Sequence, residues 1–247
     1  MRGFIKYLVI EFKLFLREPE AFFFTLVFPI LILVVFGSIY GNEPNLFFAG
    51  RGTVDISVPA FMAIIIGMSG MMNIPMAVAT EREKGILKRL RATPIQPGTI
   101  LLSWVLVYFL VTSAGAILLV IAGKTIYHLR FEGSVLNTSL AFSLSTLSFL
   151  SLGFVIASVA PTARTASITG SILFFPMMFL SGATFPSEIM PEAVRRISNL
   201  FPLTYVVKIL QGFWFGAVWA EQIRSTVILL GMLIAGIVIS AFTFRWE

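Results

Sequence analysis

The stretch TEREKGILKRLRATPIQPGT, residues Thr80–Thr99, places seven charged residues between two long apolar runs that carry none. Read as a helix, it brings Ile86, Leu87 and Leu90 within about 100° of one another, while its basic residues point elsewhere. Gly85 loosens the helix before it, and helix breakers follow at Pro94, Pro97 and Gly98. The pattern predicts a short, separately oriented helix with one apolar face at a membrane surface.

Two interpretations of this helix fit the residues. In the first, the helix docks through its apolar face onto another protein. In the second, it belongs to a solvated loop whose positive charge sets the topology of the chain in the membrane. Spacing alone does not separate them, because both place charged residues just outside a span.

Composition indicates an integral membrane protein. Apolar residues make up 57% of the 247 residues and charged residues 12%, against about 25% charged in soluble domains. This length holds about six spanning helices of roughly 20 residues, so we expect any catalytic domain to lie on another chain. The net charge of +6 comes from basic residues beside apolar runs, where anionic lipid is the expected counter-charge and nucleic acid is not.

Cysteine and histidine usage argues against a chemical site on this chain. With no cysteine and one histidine, the chain lacks the residues for disulfides, thiol catalysis and clusters of thiolate or imidazole metal ligands. We therefore expect no catalytic residue, no metal site and no cofactor bound by this chain.

Six apolar segments of at least 18 residues predict six membrane spans within a single transmembrane domain over residues 1–247. They contain no Asp, Glu, Lys, Arg or His and cover residues 21–40, 56–79, 100–122, 135–160, 166–183 and 227–244. The predicted fold is an all-α membrane protein. With both termini cytoplasmic, inner segments carry eleven basic residues against seven outside, as the positive-inside rule favours.

Shorter elements complete the prediction. Residues 1–20 are too charged to span, but their basic residues form one stripe that suits a helix lying flat on an anionic leaflet, namely Arg2, Lys6, Lys13 and Arg17. The alternative, an uncleaved signal sequence, lacks a small-residue cleavage pattern. In the outer region 185–224, a segment over residues 205–218 holds Lys208 and predicts a partial or re-entrant helix.

A short amphipathic helix is also predicted from Pro191 to Leu200, before the last span. Its apolar row consists of Val194, Ile197 and Phe201, which must face protein or lipid, while Arg195 and Arg196 reach water. The helix either caps a pathway or only anchors the last span.

Few polar residues interrupt the spans. They include Asn73, two residues before Pro75, and a row with helical spacing formed by Ser139, Ser143 and Thr146. Hydroxyl rows of this kind serve helix–helix packing or line a substrate path, and the spacing fits both.

The charged stretch resembles the first cytoplasmic loop of the permease subunits of type-2 ABC exporters. The shared pattern is Glu-Arg, a glycine, spaced leucines and Thr-Pro, carried here by Glu81, Arg82, Gly85, Leu87, Leu90, Thr93 and Pro94. Two other segments resemble the same family. In the segment before the last span, the matching residues are Phe179–Gly182, Phe185-Pro186, Met190-Pro191 and Pro202–Tyr205. At the start of the first span, they are Arg17, Glu18, Pro19, Pro29 and Gly37. The chain departs from the family where an acidic residue is expected near Lys208 and a basic one near Gln211.

This resemblance implies a coupling helix that sits on an ATPase subunit. The implied docking residues are Glu81, Arg82, Gly85, Ile86, Leu87, Leu90 and Pro94. It further implies a homodimer or heterodimer of six-span subunits in the cell membrane of a prokaryote, above two ATPase subunits that bind ATP and Mg.

The substrate is only weakly indicated. Phenylalanine dominates the aromatic residues, with 25 Phe against 5 Tyr and 4 Trp, which favours an amphipathic drug, lipid or glycolipid over a long polysaccharide. An ion-coupled carrier and a non-transporting assembly factor are the alternatives from other classes. A carrier usually requires an ionisable residue within the membrane, and the six apolar segments have none.

Overall fold

The computed structural model describes residues 2–45, 50–91, 97–185 and 190–243, with side chains for all of these except residues 2–6, 90, 91 and 97. Within these ranges the chain folds into helices: α1 (Arg2–Arg17), α2 (Pro19–Tyr40), α3 (Thr53–Glu83), α4 (Ile86–Arg91), α5 (Pro97–Tyr127), α6 (Val135–Val159), α7 (Ala163–Leu180), α8 (Glu192–Ser198), α9 (Pro202–Trp214) and α10 (Ile223–Thr243). Among the described residues, six of them are long and apolar enough to cross a membrane, namely α2, α3, α5, α6, α7 and α10. The predicted six spans and all-α membrane fold are therefore confirmed.

The helices around the charged stretch extend further than the apolar runs. Helix α3 continues to Glu83, and α5 begins at Pro97. The predicted loop over residues 80–99 is therefore too long, and Pro97 begins a helix where we expected it to end one. Hydropathy marks where a helix leaves lipid, whereas glutamate and arginine are good helix formers that prolong it into the polar region. Proline is well placed at the first position of α5 because its missing N–H has no partner there.

Helix α3 is the central element of the bundle. Its side chains from Val54 to Ala79 are buried apart from two half-buried methionines, and it packs against α2, α5, α6, α7 and α9. A Cβ at Gly70 would meet the backbone of Phe149 in α6, so glycine lets these two helices cross closely. Almost complete burial of α3 makes it the helix against which the others are positioned.

Two of the spans contain a π-helical turn, one at Phe23–Val27 in α2 and one at Ser69–Asn73 in α3. The turns are joined, because the Asn73 Nδ2 donates a hydrogen bond of 2.8 Å to the Thr25 Oγ1. Both residues are buried. Asn73 therefore holds α2 and α3 together at their π-helical turns.

Helix α1 packs along α5 at the end of the bundle where α4 lies. A stripe with a spacing of four residues, Tyr7, Glu11 and Phe15, is buried and Leu8 beside it is half-buried, while five other described apolar side chains of α1 are exposed, namely Val9, Ile10, Phe12, Leu14 and Leu16. One face of α1 therefore contacts the protein, and the exposed apolar face suits lipid.

A buried polar network closes the opposite end of the bundle, at the start of α3. The Asp55 carboxylate accepts hydrogen bonds from the Asn42 Nδ2 at 3.0 Å, the Arg130 backbone N–H at 2.9 Å and the Gly52 backbone N–H at 3.2 Å. The Asn42 Oδ1 in turn accepts from the first backbone N–H groups of α3, at Val54 and Asp55. Asp55 thus caps α3 and ties two connections to it.

Helices α8 and α9 also lie at this opposite end. Although α9 has 13 residues, too few to span, most of its side chains are buried against α3, α6 and α10. The Gln211 Nε2 donates to the Ile56 carbonyl at 3.2 Å, and the Trp214 Nε1 donates to the Arg130 carbonyl at 3.0 Å. The helix covers most of the predicted segment 205–218, but its re-entry into a membrane stays a prediction.

Candidate functional site

Two of the predicted docking residues, Glu81 and Leu87, lie close to the point where α1, α4 and α5 converge at the end of α3. We call this cluster of Tyr7, Glu11, Glu81, Leu87 and Trp104 the junction. All five are buried. Glu81, which the sequence placed in a loop, lies in the last turns of α3 and is covered by α1 and α5.

A hydrogen bond between α1 and α3 lies at the centre of the junction. The Tyr7 hydroxyl donates to the Glu81 Oε2 at 3.0 Å, and Glu11 and Trp104 are further polar neighbours of the same carboxyl group. Burial and then the nearby carboxyl groups of Glu81 and Glu11 raise the pKa of Tyr7 well above its ordinary value. Tyr7 therefore keeps its proton and acts as the donor.

Next to the junction, Glu18 lies between α1 and α2 and is partly buried. Burial, reinforced by the charge of Glu11, raises the pKa of Glu18, while Lys84 lowers it in part. The carboxyl groups of Glu11, Glu18 and Glu81 thus lie near one another at the base of α1. Within the described residues, however, no group of three or more His, Cys, Asp or Glu residues is arranged to hold a metal ion.

Arg82 anchors the end of α3 to α6. Its guanidinium donates to the carbonyl of Ala157 at 3.0 Å and to the carbonyl of Ala160. Ala157 lies in the last turn of α6 and Ala160 directly follows the helix, at the end where carbonyls lack intrahelical partners and favour a cation. Arg82 therefore links two spans at the same end of the bundle.

Gly85 provides the predicted break between α3 and α4. Its φ angle is 65°, in the left-handed region that glycine adopts without cost, and its N–H bonds to the Arg82 carbonyl at 3.0 Å. A Cβ at Gly85 would contact nothing. Backbone geometry, not space, therefore demands glycine here.

Leu87 corrects our expectation of an exposed apolar face on α4. Its side chain is fully buried, and it packs in a cluster with Tyr7, Phe15, Ile100 and Trp104. Because α1 and α5 supply these neighbours, the chain itself covers Leu87, and no partner is needed to do so. Ile86 is half-buried, while Pro94 and the side chain of Leu90 lie outside the described residues.

The opposite face of α4 carries charge. Lys88 and Arg89 of α4 are exposed, as are Glu83 and Lys84 just before the helix, and the Arg89 Nη2 donates to the Lys84 carbonyl at 3.2 Å. A short helix with a buried apolar anchor and an exposed charged face therefore projects from the end of the bundle. This arrangement can present a fixed set of charges to another molecule.

The basic stripe predicted on α1 is described in part. Lys13 and Arg17 are exposed, as an interfacial helix requires, while the side chains of Arg2 and Lys6 fall outside the described residues. Sequence analysis missed Glu11 on the opposite face. Its spacing of four residues from both Tyr7 and Phe15 was the available signal, because residues at i and i+4 share a helix face.

The short helix α8 differs from its prediction. Arg195 and Arg196 are exposed as expected, and Val194 and Phe201 are half-buried, but Ile197 is 49% exposed. Ser198 is buried instead, where its carbonyl accepts a hydrogen bond from the Thr204 Oγ1 at 2.5 Å. The hydrogen bonds between Ser198 and Thr204 at the start of α9 and the packing of α8 against α7 therefore orient the helix, and the apolar row does not.

The polar row of α6 is divided between environments. Ser139 is exposed and Ser143 is half-buried beside a cavity, whereas Thr146 is fully buried. The three hydroxyls therefore do not form one continuous lining, because neighbouring helices cover only the later part of the row.

Comparison with known proteins identifies the family. Residues 4–215 match the ABC-2 type transporter family. The chain is 27% identical over 158 residues to the probable multidrug ABC transporter permease YbhS of Escherichia coli (strain K12), which covers 64% of this chain and 42% of that protein. It is 28% identical over 174 residues to the inner membrane transport permease YhhJ of the same organism, covering 65% of this chain and 45% of the other.

A shorter match, 36% identical over 78 residues, links the chain to nodulation protein J of Bradyrhizobium diazoefficiens and covers 32% of this chain and 30% of that protein. The chain spans less than half the length of these curated relatives. The family match covers most of the chain, and its six apolar helices make it a multi-pass membrane protein. The chain therefore belongs to the ABC-2 type transporter family and is an ABC transporter permease.

Proposed function

We propose that this permease is the membrane subunit of an ATP-driven exporter and that α4 is its coupling helix. The observation that carries the proposal is the complete burial of Leu87 beneath a helix whose other face is charged. Burying a leucine side chain contributes about 1.5–3 kcal/mol, which holds α4 in one orientation. A loop that only supplied positive charge would not need such an anchor.

The junction suggests how movement would pass through this subunit. Gly85 lets α4 turn relative to α3, and the Tyr7–Glu81 hydrogen bond joins α3 to α1. Arg82 joins the same region to α6. Displacement of α4 by a partner would therefore reach α1, α3 and α6 together, since all three are bonded within a few residues of α4.

The proposed partner is an ATPase subunit that binds ATP and Mg and contacts the exposed charges of α4. Support comes from the family match and from relatives named as ABC transporter permeases. We further propose that two copies of the permease, or this chain and a second permease, pair in the cell membrane of a prokaryote with their termini in the cytoplasm. The excess of basic residues on that side supports this orientation.

The proposed substrate is an amphipathic drug, lipid or glycolipid that leaves the cytoplasm or the inner leaflet. Two observations favour it, the multidrug designation of a relative and the predominance of phenylalanine over tyrosine and tryptophan. A polysaccharide would need many hydrogen-bonding aromatic side chains along its path, of which this sequence has few.

Reversal of charge on α4 tests the coupling proposal. In the double variant Lys88→Glu/Arg89→Glu, recovery of the ATPase with the permease and substrate-stimulated ATP hydrolysis in vesicles should fall at least tenfold. Arg195→Glu/Arg196→Glu is the matched control, since it reverses two adjacent exposed charges on the short helix at the opposite end. Equal ATPase recovery in both variants would contradict the coupling role and favour the interpretation in which the positive charge of this stretch only sets the topology of the chain.

The same co-purification separates the proposal from other classes of protein. An ion-coupled carrier and an assembly factor without transport activity both predict a permease that purifies without a stoichiometric nucleotide-binding subunit. Transport in vesicles that depends on an ion gradient and not on ATP would favour the carrier.

A further inference from the structure

A cavity of about 820 Å³ lies between α5 and α6, away from the junction. Its floor is formed by buried side chains, Met62, Phe142 and Trp214, and its mouth by exposed ones, Ile117, Ile121 and Val135. This volume is within the range of small-molecule sites, about 300–1,000 Å³. Because the residues at the mouth are large, apolar and exposed on spanning helices, the cavity opens towards the hydrocarbon of the bilayer.

The cavity is long in the direction of the helices. Its lining follows α5 from Phe109 to Lys124, which corresponds to about 22 Å at a rise of about 1.5 Å per residue. One leaflet contributes about half of a hydrocarbon core that is about 30 Å thick. A single acyl chain from one leaflet can therefore lie along the cavity.

The walls of the cavity offer few free hydrogen-bond donors, although several hydroxyl groups line them. The Ser113 Oγ donates to the Phe109 carbonyl at 2.8 Å, the Thr138 Oγ1 to the Ser134 carbonyl at 3.0 Å and the Ser143 Oγ to the Ser139 carbonyl at 2.8 Å. The hydrogen of each of these three hydroxyls is thus used within its own helix or helix cap, and the fourth lining hydroxyl, that of Ser139, is on an exposed residue. A hydrocarbon chain can pack against such a wall without breaking these hydrogen bonds, whereas a sugar would find few free hydrogen-bond donors.

One charged side chain lies at the end of this lining. Among the described residues that line the cavity, Lys124 alone is charged, and it is exposed in the last turn of α5. An ammonium group there lies beside the level of lipid headgroups, since α5 ends three residues later at Tyr127. Lysine at a membrane surface attracts anionic lipid.

We propose that this cavity binds an anionic phospholipid from the leaflet on the side of the α5–α6 connection. Its acyl chain lies between α5 and α6 along Ile117 and Phe142, and its headgroup phosphate pairs with Lys124. The proposal concerns a lipid bound to the permease and is independent of the substrate that is transported.

Native mass spectrometry of the purified permease with phosphatidylglycerol or phosphatidylcholine tests this site. Lys124→Met should reduce the preference for phosphatidylglycerol about fivefold, the factor that corresponds to one basic residue beside an anionic surface. Ala116→Leu fills the buried wall and should reduce the retention of both lipids at least fivefold. Ala114→Leu adds the same side chain to the exposed side of α5 and should retain lipid as the unaltered chain does.

Two outcomes would overturn the proposal. If the Ala116→Leu and Ala114→Leu variants retain equal amounts of lipid, the lipid binds elsewhere on the surface. If Ile117→Cys forms a disulfide between two copies in the membrane, and no lipid is retained, a second copy occupies the cavity. Ser143→Leu, which fills the cavity from α6, keeps the test decisive if Ala116→Leu does not fold.

Discussion

The Tyr7 hydroxyl and the Glu81 carboxyl group form a buried hydrogen bond of 3.0 Å, although 74 residues separate them in the chain. The bond joins α1 to the end of α3, immediately before the break at Gly85. Tyr7 belongs to the buried stripe of α1, and Glu81 precedes the exposed charges of α4. This pair therefore links α1 with the end of α3, which leads through Gly85 into α4, the helix that we propose receives the ATPase.

Removal of the Tyr7 hydroxyl should weaken this link without creating a cavity. Tyr7→Phe leaves a buried carboxyl oxygen without its donor, which typically costs about 1–3 kcal/mol. For a protein of this size, each kcal/mol lowers the thermal midpoint by about 2–4 °C. Tyr40→Phe is the control, because Tyr40 is 64% exposed and should tolerate the change. Equal midpoints for the two variants in detergent would contradict the prediction.

Gly85→Ala should disturb the orientation of α4 through the backbone alone. Its φ of 65° costs about 1–2 kcal/mol for a residue with a Cβ, although no atom stands in the way. We expect a large fractional loss of ATPase recovery and only a small decrease in the thermal midpoint of the permease. Gly98→Ala is the matched control, since Gly98 also has open space but lies in helix α5, where alanine is favoured. Impaired recovery in both variants would argue against a special role for the Gly85 turn.

Leu87→Ala should destabilise the permease itself. Truncation of a fully buried leucine costs about 2–5 kcal/mol, because the neighbouring side chains collapse only partly. The expected result is a thermal midpoint at least 4 °C lower, measured without any ATPase present. Leu102→Ala, at a position 52% exposed on α5, should remain near the unaltered chain. A stable Leu87→Ala variant would restore the interpretation in which Leu87 contacts a partner.

Asp55→Ala should be among the more destabilising changes at the opposite end of the bundle. It leaves the backbone N–H groups of Gly52 and Arg130 without their acceptor and the Asn42 amide with one of its two acceptors, and loss of a cap alone costs about 0.5–2 kcal/mol. Glu43→Ala changes an exposed acid in the same connection and serves as the control. Thermal unfolding followed by circular dichroism should separate the two variants by several degrees. Coincident curves would show that water replaces the network.

Accessibility along α8 should follow the structure and not the apolar row of the sequence. The chain has no cysteine, so Arg195→Cys and Ser198→Cys each provide a unique thiol. A membrane-impermeant maleimide should label position 195 rapidly and position 198 slowly, because Ser198 is 5% exposed. Ile197→Cys should react almost as fast as Arg195→Cys. Slow labelling at 197 together with fast labelling at 198 would favour the helix face originally predicted.

Local patterns predicted a large part of the fold. Six long apolar segments correspond to six long helices. Whether a segment can span a bilayer depends on its apolar length, which can be read from neighbouring residues alone. The break before α4 was also predictable, since Gly85 and the surrounding charges act over a few residues. Helix ends were less accurate, as at Glu83, because a helix continues beyond the point where hydropathy falls.

By itself, therefore, the sequence determined an all-α protein of six spans with a short charged helix after the second, because helix formation and membrane insertion depend on neighbouring residues. Only the tertiary structure decided that Leu87 faces its own chain, that Ser198 is buried while Ile197 is exposed, and that Glu11 lies inside the fold. Burial of these side chains depends on helices that are distant in sequence. Nothing in the residues around Glu81 indicates that Tyr7 lies against it, since that contact exists only once α1 has packed along α5.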